Sequence, residues 1–330
     1  MTGAPLGQIE SKDMSLQDIN AAGAGSISLA TPRDYLLLMK PRIIQLVVFT
    51  AAAGLLAAPG GIDPVMGVIA LLAIALGSGA AGALNMWYDA DIDAVMSRTS
   101  TRPIPAGRVP RDAALGFGLI LSGVSVLIMW MATNTVAAAL LALSIVYYAG
   151  IYTVWLKRST PQNIVIGGGA GAFPPVIGWA AVTGGTSLDA WILFAIIFFW
   201  TPPHFWALSL LANKEYARAG VPMLPVTHGA QATRHQILAY TVILAVSAAL
   251  PILTGLGGWI YAVVSSVLAA CFMFLAVGVL RSKAGEDDSG PDDRKAAFGL
   301  FGFSILYLFA LFGAVIVEHG LGLHWPVVGA

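Results

Sequence analysis

The sequence predicts an all-α polytopic membrane protein, a bundle of nine transmembrane helices. Its 330 residues carry only 17 basic and 17 acidic side chains, 10 per cent charged, against about 25 per cent in soluble domains. Hydrophobic residues reach 58 per cent and mean hydropathy is +0.80. The apolar residues gather into nine long runs, and every basic residue falls on one side of them. The formal net charge of zero excludes a nucleic-acid binder built on positive charge. The single cysteine, Cys271, excludes a disulfide scaffold.

Residues 1–30 are a polar tail rich in Gly, Ala, Ser and Gln. It lacks the apolar core of a signal peptide, and Glu10, Asp13 and Asp18 are out of place in an organellar transit peptide. A disordered tail is expected there, with residues 31–330 forming the membrane domain. A membrane-crossing helix needs about 20 apolar residues to traverse about 30 Å of hydrocarbon. Runs that meet this cover 35–58, 65–87, 111–132, 134–156, 161–183, 188–212, 232–254, 257–280 and 296–317. The short alternating segments of an outer-membrane barrel are missing.

With nine crossings, all 17 basic residues, from Lys12 to Lys295, lie on the side of the N-terminus. The other side holds only Asp63, Asp189 and Glu318 among charged residues. The positive-inside rule makes the basic side cytoplasmic and the C-terminus periplasmic. With no transit peptide, a bacterial inner membrane is the expected location.

Two of the long loops, 88–110 and 213–231, follow the second and sixth spans on the cytoplasmic side, a spacing that hints at a repeated unit. The first carries Asn85, Asp89 and Asp93 at four-residue intervals, so on a continuing helix they line one face while Asp91 points elsewhere. Two carboxylates and an amide on one stripe suit a hard cation, because Mg²⁺ takes one or two carboxylates and completes its shell with water and phosphate oxygens. Arg98 and Arg102 follow directly, and guanidinium groups make bidentate phosphate contacts. Metal-binding acids followed by phosphate-binding arginines point to a diphosphate site at the membrane surface. The plainer alternative is a solvated loop anchoring a helix end.

Between the fourth and fifth spans stand Tyr152, Lys157, Arg158 and Asn163, then Gly167, Gly168 and Gly169. Arg158 reads best as a positive-inside anchor, Asn163 as an amide that bonds a neighbouring helix. In the sixth span Pro202 and Pro203 are expected to break the helix just before His204. His204 could be a base, an iron ligand or merely hydrogen-bonded to a neighbour. The second loop offers Lys214, Glu215, Tyr216 and Arg218 beside a turn set by Gly220 and Pro222. His228 and His235 flank it without an assigned role, while His319 and His324 on the opposite side look incidental. Residues 281–295, with five acids and four bases, read as a solvated connector.

These residues resemble the UbiA-type intramembrane prenyltransferases. The stretches that carry the resemblance are NMWYDADIDAVMSRTSTRPIPAGRV at 85–109, YTVWLKRSTPQNIVIGGGAGAFPPVIGW at 152–179, WTPPHFWALSL at 200–210 and EYARAGVPMLPV at 215–226. The likeness runs from about Tyr35 to near the C-terminus. The NxxxDxxxD motif marks the superfamily, and the TPPHFWAL and AGVPMLP runs resemble its heme-farnesylating branch.

The resemblance implies a nine-helix fold in which Asn85, Asp89 and Asp93 hold Mg²⁺ on farnesyl diphosphate. It implies that Arg98, Arg102 and Lys157 contact the phosphates, and that heme b is the acceptor rather than a cofactor. Asn163, Lys214, Glu215 and Tyr216 are further substrate-binding candidates. Asp89, Asp93, Lys157 and His204 are the catalytic ones. One departure stands out: many relatives carry a second DxxxD after the sixth span, whereas Glu215 stands here without a carboxylate partner, so a second Mg²⁺ would rely on substrate oxygens and water. In the implied reaction a vinyl carbon of heme b attacks the farnesyl cation and water captures the resulting cation, giving heme O. Trp87, Tyr88, Tyr148 and Trp206 could stabilise cationic character. A downstream heme A synthase or oxidase assembly protein is the natural recipient. The rival readings are a prenyltransferase with an aromatic acceptor, which needs no TPPHFWAL run, and a transporter, which would place its ionisable groups near the bilayer midplane.

Overall fold

A computed structural model describes residues 30–323. The tail expected at 1–30, apart from Ala30, and His324 lie outside the described residues. Among the described residues the fold is entirely helical. Helices α1 (Pro32–Leu38) and α2 (Pro41–Ala57) precede α3 (Pro64–Tyr88), the short α4 (Ala90–Val95), α5 (Arg111–Ala132) and α6 (Thr135–Ser159). Then follow α7 (Asn163–Thr183), α8 (Leu188–Leu211), the short α9 (Asn213–Arg218) and α10 (Leu224–Thr227), α11 (Gly229–Thr254), α12 (Trp259–Arg281) and α13 (Pro291–Leu321).

Eight of these helices are each long and apolar enough to span a bilayer, and α1 with α2 supplies a ninth crossing if the bent pair counts as one. The expected first span, 35–58, is therefore not one helix. It bends by 55° between Leu38 and Pro41, because proline at the head of α2 disfavours right-handed helical backbone at the residue before it. That residue, Lys40, takes the left-handed conformation with φ 57°, the one non-glycine residue to do so among the described residues.

The break expected at Pro202–Pro203 does not occur. Both prolines sit inside the continuous α8, as Pro174 and Pro175 sit inside α7. A neighbouring side chain supplies one of the donors a proline cannot: the Ser144 hydroxyl donates to Ala170 O at 3.4 Å, four residues before Pro174. Within hydrocarbon such donors are what make an intrahelical proline tolerable.

The most buried span is α7, which touches α2, α3, α6 and α8. Its crossing with α2 brings backbone against backbone: a Cβ on Gly54 would lie 2.1 Å from Pro175 O, and one on Gly178 would lie 2.2 Å from Ala51 O. Without a hydrophobic force between helices in lipid, such close packing carries the association. Helices α8, α11, α12 and α13 form the other half, and α13 returns to α2. Large apolar side chains are common on the outer surface of the bundle. Ile120, Met131, Leu253 and Phe274 all face outward, as expected of a multi-pass membrane protein in contact with lipid.

A smaller apolar cluster of Leu38, Ala83, Met86, Ile104 and Val109 fastens the first long loop to the ends of α1 and α3. Arg108 adds a 2.7 Å bond from Nε to Asp34 Oδ1. The loop is thereby a fixed cap over one end of the bundle. Residues 281–295 are likewise more than a solvated connector. Asp293 accepts from the N–H groups of Lys283 and Gly290 at 2.8 Å each, and Arg234 Nη1 donates to Ala284 O at 2.9 Å.

Candidate active site

The acidic stripe is built by nearly continuous helix. Asp89 interrupts α3 and α4 for a single residue, yet its N–H still donates to Asn85 O at 2.9 Å and the Asp93 N–H donates to Asp89 O at 2.8 Å. The four-residue ladder therefore survives, and Asn85, Asp89 and Asp93 share a face. All three are buried, at 3, 0 and 2 per cent exposure. Asp91 faces out and is held by Arg158 through two bonds of 2.7 and 2.8 Å. That guanidinium lowers the Asp91 carboxyl to about 2.

Each buried group of the stripe meets a cation from elsewhere in the chain. Lys40 Nζ donates to Asn85 Oδ1 at 2.5 Å, Lys157 Nζ to Asp89 Oδ2 at 2.5 Å, and Arg102 Nη1 to Asp93 Oδ2 at 2.7 Å. Arg158 Nη2 also stands 3.7 Å from Asp89 Oδ1. Arg98 is exposed and makes no hydrogen bond or ion pair among the described residues. Four contacting cations (Lys40, Arg102, Lys157, Arg158) thus face three carboxylates (Asp89, Asp91, Asp93), leaving an excess of one positive charge before exposed Arg98 is counted. A buried, net-positive cluster at a membrane surface is an anion site.

The geometry of α6 is what presents Lys157. From Tyr147 to Leu156 the helix widens into a π-helix, a distortion that frequently marks functional sites. The wider turn lets the Thr153 hydroxyl donate to Tyr148 O at 2.8 Å while its oxygen accepts from Asn85 Nδ2 at 2.9 Å. Tyr148 in turn accepts from Lys40 Nζ at 3.3 Å and stacks on Tyr152. Gly167 leaves the space that the Tyr152 ring fills, since a Cβ there would lie 2.2 Å from it.

The second loop is joined to the first by a hydrogen bond from the Ser97 hydroxyl to the Glu215 carboxylate, and Ile92 and Met96 share a buried apolar cluster with Tyr216, Val221 and Met223. Tyr216 is buried beneath it, and burial raises the phenol above its ordinary value. Lys214 is not brought to the cluster: it is 83 per cent exposed and pairs with Asp287. Asn163 is buried and donates to Lys157 O at 3.4 Å, while its own Oδ1 has no partner.

His204 lies apart from the stripe, between the rings of Trp200 and Phe301 at 4.3 and 4.7 Å. Its Nδ1 is 2.6 Å from Ser304 Oγ, whose own hydrogen goes to Phe301 O. Nδ1 therefore carries the proton and donates, leaving the lone pair on Nε2.

Among the described residues no three His, Cys, Asp or Glu side chains come together as a metal site. Asp89 Oδ1 is nevertheless a buried acceptor without a hydrogen bond, and two carboxylates with an amide suit Mg²⁺ that is completed by phosphate and water oxygens. The donor set fits the ion on those terms.

An apolar crevice opens beside Lys40 and Tyr148 and runs between α2, α3, α6 and α7. Sequence reasoning missed Lys40 and Thr153 and discounted Arg158. A lysine directly before a proline at a span boundary was the available signal for Lys40. Thr153 offered none, being one hydroxyl in an apolar run.

The chain matches the UbiA prenyltransferase family over residues 46–291. It is 70 per cent identical over 305 residues to a protein of Hyphomonas neptunium named protoheme IX farnesyltransferase, covering 91 per cent of this chain and 96 per cent of that one. A protein of the same name from Methylobacterium radiotolerans is 55 per cent identical, covering 90 and 92 per cent. Among solved structures, a digeranylgeranylglyceryl phosphate synthase shares the fold with TM-score 0.70 at 17 per cent identity, covering 87 per cent of this chain and 98 per cent of that one. A UbiA homolog from Archaeoglobus fulgidus bound to GPP and Mg²⁺ does so with TM-score 0.63 at 15 per cent identity, covering 86 and 99 per cent. Stripe, cation ring, helical bundle and these likenesses agree: the chain belongs to the UbiA prenyltransferase family, in the branch of the protoheme IX farnesyltransferases.

Proposed function

We propose that this chain transfers the farnesyl group of farnesyl diphosphate to a vinyl group of heme b, with addition of water, yielding heme O and diphosphate. The observation that carries the proposal is the buried Asn85–Asp89–Asp93 stripe ringed by Lys40, Lys157 and Arg102 at the mouth of an apolar crevice. A charged head and a long apolar tail find complementary surroundings side by side. The choice of heme b as acceptor rests on the names of relatives 55 to 70 per cent identical over nine-tenths of the chain.

Lys157 and Arg102, which neutralise the two acids here, together with Lys40 and Arg98, would hold the diphosphate oxygens. Mg²⁺, held by Asn85, Asp89 and Asp93, would supply Lewis-acid neutralisation of the leaving diphosphate. The C1–O bond breaks with its electron pair departing on diphosphate. The terminal vinyl carbon of heme b bonds to C1, and a water oxygen bonds to the carbon next to the ring, releasing a proton. Apolar helix walls keep other water from the cation. His204, with its lone pair on Nε2, is our candidate to take that proton or to contact the heme. The basic residues lie at the site's end of the spans, which supports a site facing the cytoplasm of a bacterial inner membrane.

The test is mass spectrometry of hemes from membranes given heme b, farnesyl diphosphate and Mg²⁺, with the Asp89→Ala variant alongside. Heme bearing hydroxyethylfarnesyl in the first sample only is the expected result. Diphosphate release without modified heme would move the acceptor to an aromatic ring.

A further inference from the structure

We propose that the cavity between α9 and the 281–295 segment holds the two propionates of the heme, with the macrocycle lying along α8 and α13 toward His204. This placement presupposes heme b as the acceptor, as proposed above, and adds where its carboxylates are held. The cavity has a volume of about 500 Å³ and is lined by the end of α8, by α9, by the 281–295 segment and by Arg294 in the first turns of α13. Its acids are all answered: Glu215 by Ser97, Glu286 by Arg234 and Asp287 by Lys214. Arg218 and Arg294 are left over, exposed in the lining and without a side-chain hydrogen bond or ion pair among the described residues. The Ser289 hydroxyl, buried in the same lining, has no partner either. Two uncommitted guanidinium groups and a hydroxyl suit a pair of carboxylates, because a guanidinium grips a carboxylate through two parallel N–H bonds.

Two helical stripes lead from this cavity to His204. On α8, His204, Leu208 and Leu211 share a face, and all three are half-buried while Trp206, Ala207, Ser209 and Leu210 are buried. Leu211 lines the cavity. On α13, Arg294, Phe298 and Phe301 share a face in the same way. Phe298 is exposed, and Phe301 stacks on His204 at 4.7 Å. The stripes therefore meet at His204 and both end at the cavity, seven residues or about 10 Å away along either helix. A flat apolar ring suits a strip of Phe and Leu side chains. A propionate arm extends about 4 Å from the ring, three carbon–carbon bonds of about 1.5 Å each, so carboxylates at Arg218 and Arg294 bring the body of the macrocycle to His204. The depth also agrees with the reaction. A Cβ on Gly168 would lie 2.9 Å from Thr201, so His204, one turn nearer the basic end of the spans, is level with the start of α7, where Asn163 bonds Lys157 O. The vinyl edge, opposite the propionates, then lies on the apolar side of the Asp89–Lys157 pair, where C1 of the farnesyl group leaves the diphosphate.

Titration of the full chain in phosphatidylcholine nanodiscs, read by Soret absorbance against protein-free discs, tests this by comparing heme b with its dimethyl ester, in which both propionates are neutral. The unaltered protein is expected to bind heme b at least about tenfold more tightly than the ester, the scale of a charged hydrogen bond. Arg218→Gln and Arg294→Gln should each weaken heme b about tenfold and leave the ester unchanged, and the double variant should bind the two alike. Lys295→Gln, next in sequence to Arg294 but paired with Asp292, should change nothing. Farnesyl diphosphate binding without heme should be unaltered in Arg294→Gln. Should Arg218→Gln disturb the second loop and lose that binding, Arg294→Gln decides alone. Equal affinity for heme b and the ester in the unaltered protein overturns the propionate site while leaving heme b as the acceptor, as does a preference for heme b that survives the double variant. An unaltered protein that binds neither heme would remove the acceptor reading and the site with it.

Discussion

The Lys40 ammonium donates to Asn85 Oδ1 at 2.5 Å, so the bend between α1 and α2 and the head of the acidic stripe form one unit. Left-handed backbone at a non-glycine residue costs about 1–2 kcal/mol, and here it accompanies the bend beside which the ammonium meets Asn85.

Lys40→Gly should keep the bend, since glycine adopts φ 57° without penalty, yet lose the ammonium. Charged hydrogen bonds contribute about 1.5–3 kcal/mol, so kcat/KM for the diphosphate substrate should fall about 10- to 100-fold. Unchanged kinetics in the glycine variant would count against a substrate role for this lysine.

Asp89 and Lys157 are coupled across the bundle. Asp89→Asn should lower turnover at least about 100-fold and destabilise the protein by about 3 kcal/mol, because Lys157 is left largely enclosed without a counter-charge. Adding Lys157→Met should recover thermal stability without recovering turnover. The pair of measurements separates the structural from the chemical contribution.

Thr153→Val removes a hydroxyl that serves the π-helix and Asn85 together. A loss of about 1–2 kcal/mol in stability is expected, with a raised KM for the diphosphate and little change in kcat. Thr153→Ser, which keeps the hydroxyl, should restore both.

His204→Phe keeps a ring between Trp200 and Phe301 but ends the contact with Ser304. Binding of farnesyl diphosphate without heme should be unaltered, while heme O formation falls at least tenfold. Full heme O formation in this variant would remove both proposed roles.

Asp91 accepts two bonds from Arg158, which lower its carboxyl from 3.8 to about 2. A lowered folded value means that the stabilisation is present above about pH 4 and lost as pH falls through about 2. The pair is partly exposed, so its contribution is about 0.2–1 kcal/mol. Asp91→Asn should therefore melt slightly earlier than the parent at pH 7, with the gap narrowing below pH 4. Thermal melts at both ends of that range check it, and a gap of constant size would count against the ion pair as its source.

Much of the site was legible because its spacing is local. Asn85, Asp89 and Asp93 repeat every four residues, and a helix that barely falters at Asp89 keeps such a repeat on one face. Arg102 follows within nine residues of Asp93 and pairs with it. Lys214 misled because its neighbour Glu215 does reach the first loop while Lys214 itself turns to solvent. The double proline misled because Pro202 and Pro203 lie inside a helix that is continuous from Leu188 to Leu211 and buried at both prolines, a tertiary setting that a linear reading does not contain.

Composition, run length and the spacing of the acids determined a multi-crossing helical membrane protein and the one-faced stripe of Asn85, Asp89 and Asp93, because hydrophobic transfer and helical periodicity act over short stretches of chain. Which cation answers each acid was decided only in three dimensions. Lys40 meets Asn85 across 45 residues and Lys157 meets Asp89 across 68. Those pairings follow from the bend before Pro41, the π-helix in α6 and glycines that let α2 and α7 touch, where packing rather than local propensity sets the geometry.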